Sequence, residues 1–193
     1  MIERIKEIIK YKELLYNLTS KELKLKYKNS VLGFFWSFLN PVMMMLVYTI
    51  AFKYVLRVGT ENFSVVLLAG LLPWTFFQNS INAATTSIVS NGNLVKKVYF
   101  PREIIPMSVI FSNFVNFLIT FIVLFLAIFI FRIKVGMAIL LLPIVLILLL
   151  SITIGLGMLL SSLNVSYRDV SHFVEIFFMA WFYLTPVVYS LDL

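Results

Sequence analysis

Apolar residues in this chain come in long unbroken runs rather than in alternating or helically spaced stripes. No charged residue falls between Asn29 and Phe52, Asn62 and Val95, Ile104 and Phe131, or Val135 and Tyr167. Each run exceeds the roughly 20 residues that carry a helix across a hydrocarbon core about 30 Å thick. The pattern predicts an all-α, polytopic transmembrane bundle with spans near 34–56, 63–88, 106–131, 137–162 and 172–190. The fifth is short, strictly uncharged only from Ile176 to Leu191, and Pro186 can break it or turn it back. In the second span, Gly70 and Pro73 predict a kink. Gln78, Asn79, Ser80, Asn82, Thr85, Thr86 and Ser87 then make its later half polar. Such residues are costly against lipid, so they are expected to face other helices or a hydrated path.

The first 30 residues differ, which divides the chain into an interfacial segment, 1–30, and a transmembrane domain, 31–193. Tyr11, Leu14, Leu15 and Leu18 follow one helical face, as Ile5, Ile8 and Ile9 begin to do upstream. Thr19 and Glu22 have capping-box spacing, which predicts a second short helix starting at Ser20. There, lysines alternate with Leu23, Leu25 and Tyr27, as expected of a helix lying flat among lipid headgroups with its lysines snorkelling.

Composition agrees: 61% of residues are hydrophobic and 13% charged, against about 25% charged in a typical soluble domain. The sixteen Lys and Arg are unevenly shared. Eight precede the first span, three lie between spans two and three, and Arg168 lies between four and five; the other side receives Lys53, Arg57, Arg132 and Lys134. The positive-inside rule puts the amino terminus and both even-numbered connections in the cytoplasm of a multi-pass plasma-membrane protein. The same clustering explains the net charge of +7 without nucleic acid. Cysteine is absent, which excludes disulfides and thiolate metal sites, and no apolar region before residue 30 suits a cleaved signal peptide.

Candidate chemistry is sparse. His172 and Glu175 lie three apart on a predicted helix, a spacing that suits a metal or an acid–base pair. Zinc needs three or four ligands, however, and no second His or any Cys is present. Ser166 and Asp169 instead fit a capping box at a helix start, so no metal site is expected. Gly155 and Gly157 sit in an apolar helix without a neighbouring Lys, unlike a phosphate loop. With Ser151 and Ser161 they repeat at i, i+4, the small-residue spacing of close helix packing. Aromatic residues cluster as Phe34, Phe35 and Trp36, as Trp74, Phe76 and Phe77, and as Trp181, Phe182 and Tyr183. They suit packing or interfacial belts, and their faces also suit sugar rings.

Between spans two and three lies a compact basic elbow, SNGNLVKKVYFPREIIP, residues 90–106. With Asn93 as a cap, 94–100 would form about two helical turns. Leu94, Val95, Val98 and Tyr99 would then share an arc of roughly 140°, with Lys96 and Lys97 outside it. Pro101 ends the helix and Pro106 can open the third span. A topology signal needs the charge but not the apolar face, which implies a partner or the membrane surface.

Four stretches together resemble a known family: YKNSVLGFFWSFLNPVMMMLVYT (27–49), LLAGLLPWTFFQNSI (67–81), the elbow (90–106) and LLSSLNVSYRDVSHFVE (159–175). They are similar to the membrane subunit of bacterial polysaccharide ABC exporters, the type-2 permeases that export O-antigen, capsular polysaccharide or teichoic acid. The resemblance implies a homodimer, each copy paired with a cytoplasmic ATP-binding subunit, moving a lipid-linked polysaccharide across the bilayer. It implies no enzyme activity and no cofactor in this chain, ATP and Mg being bound by the partner. Leu94, Val95, Lys96, Lys97, Val98, Tyr99, Arg102 and Glu103 would form the coupling helix. Lys24, Tyr27, Lys28 and Trp36 would flank substrate access at the interface. Phe34, Phe35, Trp74, Phe76, Phe77, Trp181 and Tyr183 are candidates for the glycan path. Relatives continue past the fifth span into re-entrant helices and a sixth span, so that gate and last helix are expected to be missing from this chain. An alternative is a membrane enzyme acting on a lipid-linked sugar with His172 and Glu175 in its site; another is a passive channel or scaffold.

Overall fold

The computed structural model describes residues 7–55 and 63–185, with every side chain among them except those of 53–55. The described residues form helices and turns and no strand. In chain order, α1 is Lys12–Tyr27, α2 Trp36–Thr49, α3 Phe63–Ser90, α4 Gly92–Lys97, α5 Ile104–Ile130, α6 Leu142–Ser166 and α7 Val170–Leu184. Short 3-10 turns at Gly33–Phe35 and Met137–Leu141 lead into α2 and α6, and a π turn, Ile50–Val55, prolongs α2. With these additions four helical stretches are long and apolar enough to cross a membrane: Gly33–Phe52, Phe63–Ser90, Ile104–Ile130 and Met137–Ser166. They match the first four expected spans. α7, with 15 residues, is apolar but shorter. Residues 186–193, where the fifth span was expected to end, lie outside the described residues, as do 1–6, Arg57 and the side chain of Lys53.

α3 is the centre of the bundle, packed against α2, α5, α6 and α7. Its apolar side chains feed three clusters. Val65, Leu68, Leu72 and Phe76 meet Phe117, Val123, Leu124 and Ala127 of α5, where Phe76 stacks on Phe117 at 4.8 Å between centroids. Trp74, Phe77 and Ile81 meet Val174 and Phe178 of α7. Phe63, Leu67 and Leu71 gather Tyr48, Phe52 and Phe182. The helix continues through Pro73, although proline removes one intrahelical donor there. Among its polar residues, Ser80, Thr85 and Ser87 are buried, as expected, whereas Asn79 and Thr86 are exposed on this chain.

α6 meets α3 along a stripe of small and polar residues, Thr153, Gly157, Ser161 and Asn164, all buried. A Cβ built on Gly157 would lie 2.7 Å from Ile110 Cδ1 and 3.2 Å from Ala84 Cβ, so glycine is what lets three helices meet there. Gly155 has nothing within 4 Å of such an atom, and Ser151 is exposed. Of the two small-residue pairs in the sequence, only Gly157 and Ser161 pack helices within the chain.

The amino-terminal segment departs from expectation in two ways. α1 runs unbroken through Thr19, whose hydroxyl donates to the Leu15 carbonyl at 2.8 Å instead of capping a new helix. The helix also does not rest on lipid alone. Tyr11, Leu14, Leu15 and Leu18 pack against Phe100, Ile104 and Ile105, while Lys26 and Tyr27 reach Asn113 and Asn116. The contacts advance twelve residues along α5, about 18 Å of rise, so α1 leans along the third span rather than lying flat. After Tyr27 the chain turns through Asn29 and Gly33, both with positive φ, which asparagine and glycine tolerate best.

Candidate functional site

The elbow begins where α3 ends. Asn91 is the residue before α4, and its side-chain amide donates back to the Ser87 carbonyl at 2.9 Å rather than capping forward. The helix therefore covers Gly92–Lys97, earlier and shorter than the expected 94–100, and Asn93 is not its cap. Val98 is already extended, at φ −129° and ψ 136°. Pro101 disfavours helical backbone in the residue before it, and the β-branched Val98 also suits extended chain.

This early stop divides the expected apolar arc. Leu94 and Val95 turn inward, onto the cluster of Phe100, Ile104 and Ile105 shared with α1. Phe100 is 7% exposed, whereas Val98 is 53% and Tyr99 88% exposed. Lys96, Lys97 and Arg102 are exposed and Glu103 half-buried. The elbow is thus an apolar anchor carrying a projecting tip of Val98 and Tyr99 among cations. Phe100, its principal anchor, is absent from the residues singled out in the sequence. The signal was available in the proline that follows it. Behind the tip, a cavity of about 770 Å³ runs between Lys96, Tyr99 and Arg102 on one side and Met158, Val165 and Arg168 on the other.

A second polar junction lies at the far end of α1. The Tyr27 hydroxyl bonds Ser37 at the start of α2 and donates to the Asn116 side-chain carbonyl of α5; Ser37 donates to the same oxygen at 2.7 Å. Lys26 Nζ donates to Asn113 Oδ1 at 3.4 Å. The residue is exposed as a whole, yet desolvation by the surrounding protein lowers its pKa from the ordinary lysine value. Beside this junction a 190 Å³ cavity is lined by Lys26, Tyr27 and Trp36 together with Asn40, Asn79, Asn113 and Asn116. Of the four residues expected at substrate access, Tyr27 and Trp36 reach it. Lys24 and Lys28 instead border a shallower groove with Tyr27 and Phe34. Nothing in a run of alternating lysines distinguishes Lys26 from its neighbours, and its partner, Asn113, is 87 residues away.

The seven aromatic candidates do not form one path. Phe77 is buried with Trp181 and Phe178, the Phe77–Trp181 centroids 5.9 Å apart. Phe76 is stacked on Phe117, and Phe35 is exposed beside Phe38. Trp74 and Tyr183 alone of the seven face a common cavity, which also holds Glu175, Gln78 and Asn82.

Comparison with known proteins decides the family. The sequence profile of the ABC-2 type transporter matches residues 13–193. The chain belongs to the ABC-2 type transporter family. Among curated proteins it is 36% identical over 200 residues to an O-antigen export system permease protein of Myxococcus xanthus, covering all of this chain and 74% of that one. A protein of the same description from Klebsiella pneumoniae is 35% identical over 182 residues, covering 94% of this chain and 70% of its own length.

The ABC-2 match includes α1, the elbow, all four spans and α7. It also covers the stretch that carries His172 and Glu175. Both are exposed on α7, and Glu175, but not His172, lines the cavity with Trp74. Asp169 precedes α7 without a side-chain cap bond, so the capping box expected at Ser166 and Asp169 is not made. Among the described residues no three His, Cys, Asp or Glu group as metal ligands would.

Proposed function

We propose that this chain is the membrane permease subunit of an ATP-driven exporter that moves a lipid-linked, O-antigen-like polysaccharide from the cytoplasm across the plasma membrane. Two copies pair with each other and with a cytoplasmic subunit that binds ATP and Mg and performs the hydrolysis; the permease carries no cofactor and catalyses no reaction itself. The cargo follows from the O-antigen export permeases of M. xanthus and K. pneumoniae. The amino terminus lies in the cytoplasm, by the excess of Lys and Arg before the first span and between the second and third.

One observation carries the coupling role: Tyr99 is 88% exposed beside Lys96, Lys97 and Arg102, while Phe100 next to it is buried. An aromatic held out by a rigid anchor, among cations, suits a groove with an apolar floor and an acidic rim on the ATPase. Leu94, Val95 and Glu103 set its position, and Lys24, Tyr27, Lys28 and Trp36 serve the side where the lipid-linked substrate arrives. Co-purification tests this reading. Tyr99→Ala, or Lys96→Glu with Lys97→Glu, should insert normally yet lose the ATPase, and export should stop. Intact assembly and export in both variants would refute the docking role.

A further inference from the structure

Behind the elbow's tip, two parts of the chain far apart in sequence bring cations to the rim of one cavity. Lys96 and Arg102 of the elbow border the 770 Å³ space on one side, and Arg168, in the turn between α6 and α7, borders it on the other. All three are exposed, and none makes an ion pair or a side-chain hydrogen bond among the described residues. Like charges gathered round one space repel one another, and an anion held between them relieves that repulsion. Glu7 and Glu103 also line the cavity, but each already has a partner, so the charge left unmet is positive.

The inner wall differs in kind. Ile88, Val89, Pro106, Met158 and Val165 make it apolar. Met158 lies eight residues, about 12 Å of helical rise, before α6 ends at Ser166. The cavity therefore runs from the basic edge of the bundle into the hydrocarbon layer, along the least buried of the four spans. Val89 and Val165 are themselves exposed, so this wall is open sideways rather than sealed.

These two halves restrict the occupant. The volume would hold about 25 water molecules at 30 Å³ each, far more than one inorganic ion fills. A soluble anion would meet the cations and leave the apolar wall wet. A segment of a cytoplasmic protein would have to carry backbone amides about 12 Å into the membrane, where unpaired ones are costly. A glycerophospholipid brings a phosphate for the rim and acyl chains for the wall.

We propose that this cavity is a binding site for an anionic glycerophospholipid of the cytoplasmic leaflet. Its phosphate sits between Lys96, Arg102 and Arg168, and an acyl chain lies along Met158 and Val165. The fork of each arginine can bind two phosphate oxygens at once, and basic pockets between membrane helices take such headgroups in general. The lipid links the elbow to the α6–α7 turn. The proposal goes beyond the export reading and does not depend on it, because the bilayer itself supplies the ligand.

Native mass spectrometry of the full chain in detergent micelles tests the site, with phosphatidylglycerol or phosphatidylcholine of the same acyl chains added. Phosphatidylglycerol should be retained at about tenfold lower concentration than phosphatidylcholine. Arg168→Gln should weaken that binding about fivefold, the share of one basic residue, and shift the adducts down by one lipid per chain. Ser162→Trp, which fills the open wall with every cation kept, should lose the same adduct. Lys134→Gln, a cation outside the cavity lining, should leave the adducts unchanged. Equal retention of the two lipids would overturn the site, as would an adduct that survives either cavity variant, an equal loss in Lys134→Gln, or displacement by inorganic phosphate. An Arg168→Gln chain that keeps its phosphatidylglycerol but no longer co-purifies with the ATPase would give the cavity to an acidic segment of that partner, and the lipid would be rejected.

Discussion

α3 and α6 both cross the membrane, yet they reverse the relation between hydropathy and burial known from water-soluble proteins. The span Phe63–Ser90 has a mean hydropathy of 1.3, and 56% of its most apolar window is buried. For Met137–Ser166 the values are 3.0 and 6%. In water apolar surface is driven inward, but lipid tails are as apolar as leucine, so α6 gains little by hiding its outer face. What must be hidden is polarity, because an unpaired amide or hydroxyl in hydrocarbon costs several kcal/mol. The core of this protein is therefore built on its least hydrophobic span. Of α6, Thr153, Gly157, Ser161 and Asn164 are buried at that contact, and Leu146, Leu149, Leu150 and Leu160 pack half-buried against the clusters built on α3.

The largest expected effect opposes a packed ring to a lipid-facing side chain. Phe76→Ala, which removes the stack on Phe117, should cost about 3–5 kcal/mol, whereas Leu148→Ala, 57% exposed on α6, should stay within about 0.5 kcal/mol. Reversible unfolding in mixed micelles measures both, and equal losses would break the contrast. Next comes Gly157→Leu, with 2.7 Å to Ile110 Cδ1 before any further carbon is added; about 1–3 kcal/mol of overpacking is expected. Gly155→Leu, two residues away on the open face, should be nearly silent in the same assay.

Asn116→Leu tests whether polar pairing extends the principle to α5. It leaves Tyr27 and Ser37 without their shared acceptor and should cost about 0.6–1.7 kcal/mol, the range of hydrogen bonds between membrane helices. Faster hydrogen exchange confined to α1 and the start of α2 would be the signature. The smallest effect concerns Lys26. Desolvation lowers its folded pKa, so the unfolded chain holds that proton more tightly. Stability should therefore rise slightly as pH climbs through the window between the lowered value and the ordinary one near 10.4. A Lys26→Met chain should lack that slope.

The hydrophobic runs made four spans legible because a bilayer demands the same length of apolar helix whatever lies beside it. The elbow was legible as a short helix too, its charge and prolines being local signals. Its limits were not. The proline at 101 reaches back through residue 100, and the extended Val98 and the Tyr99 after it expose side chains that a longer helix would have turned inward. The course of α1 was hidden for another reason. Alternating lysines and leucines satisfy a lipid surface and a protein surface equally, and only contacts with Asn113 and Asn116, 87 and 89 residues on, choose between them. The aromatic triplets likewise share a composition while their rings go to separate clusters.

The buried hydroxyls of α3 bear on how the chain is made. Thr85 donates to the Ile81 carbonyl at 2.7 Å and Ser87 to that of Ala84, also at 2.7 Å. Both bonds lie inside the helix. The ribosome delivers α3 before α5 and α6, the helices that eventually surround it, so a marginally hydrophobic segment must wait in the lipid for neighbours not yet synthesised. Hydroxyls that close on their own backbone need no neighbour. They let the future core of the bundle leave the translocon alone, and they leave the amides of Gln78 and Asn82 as the groups whose burial must follow.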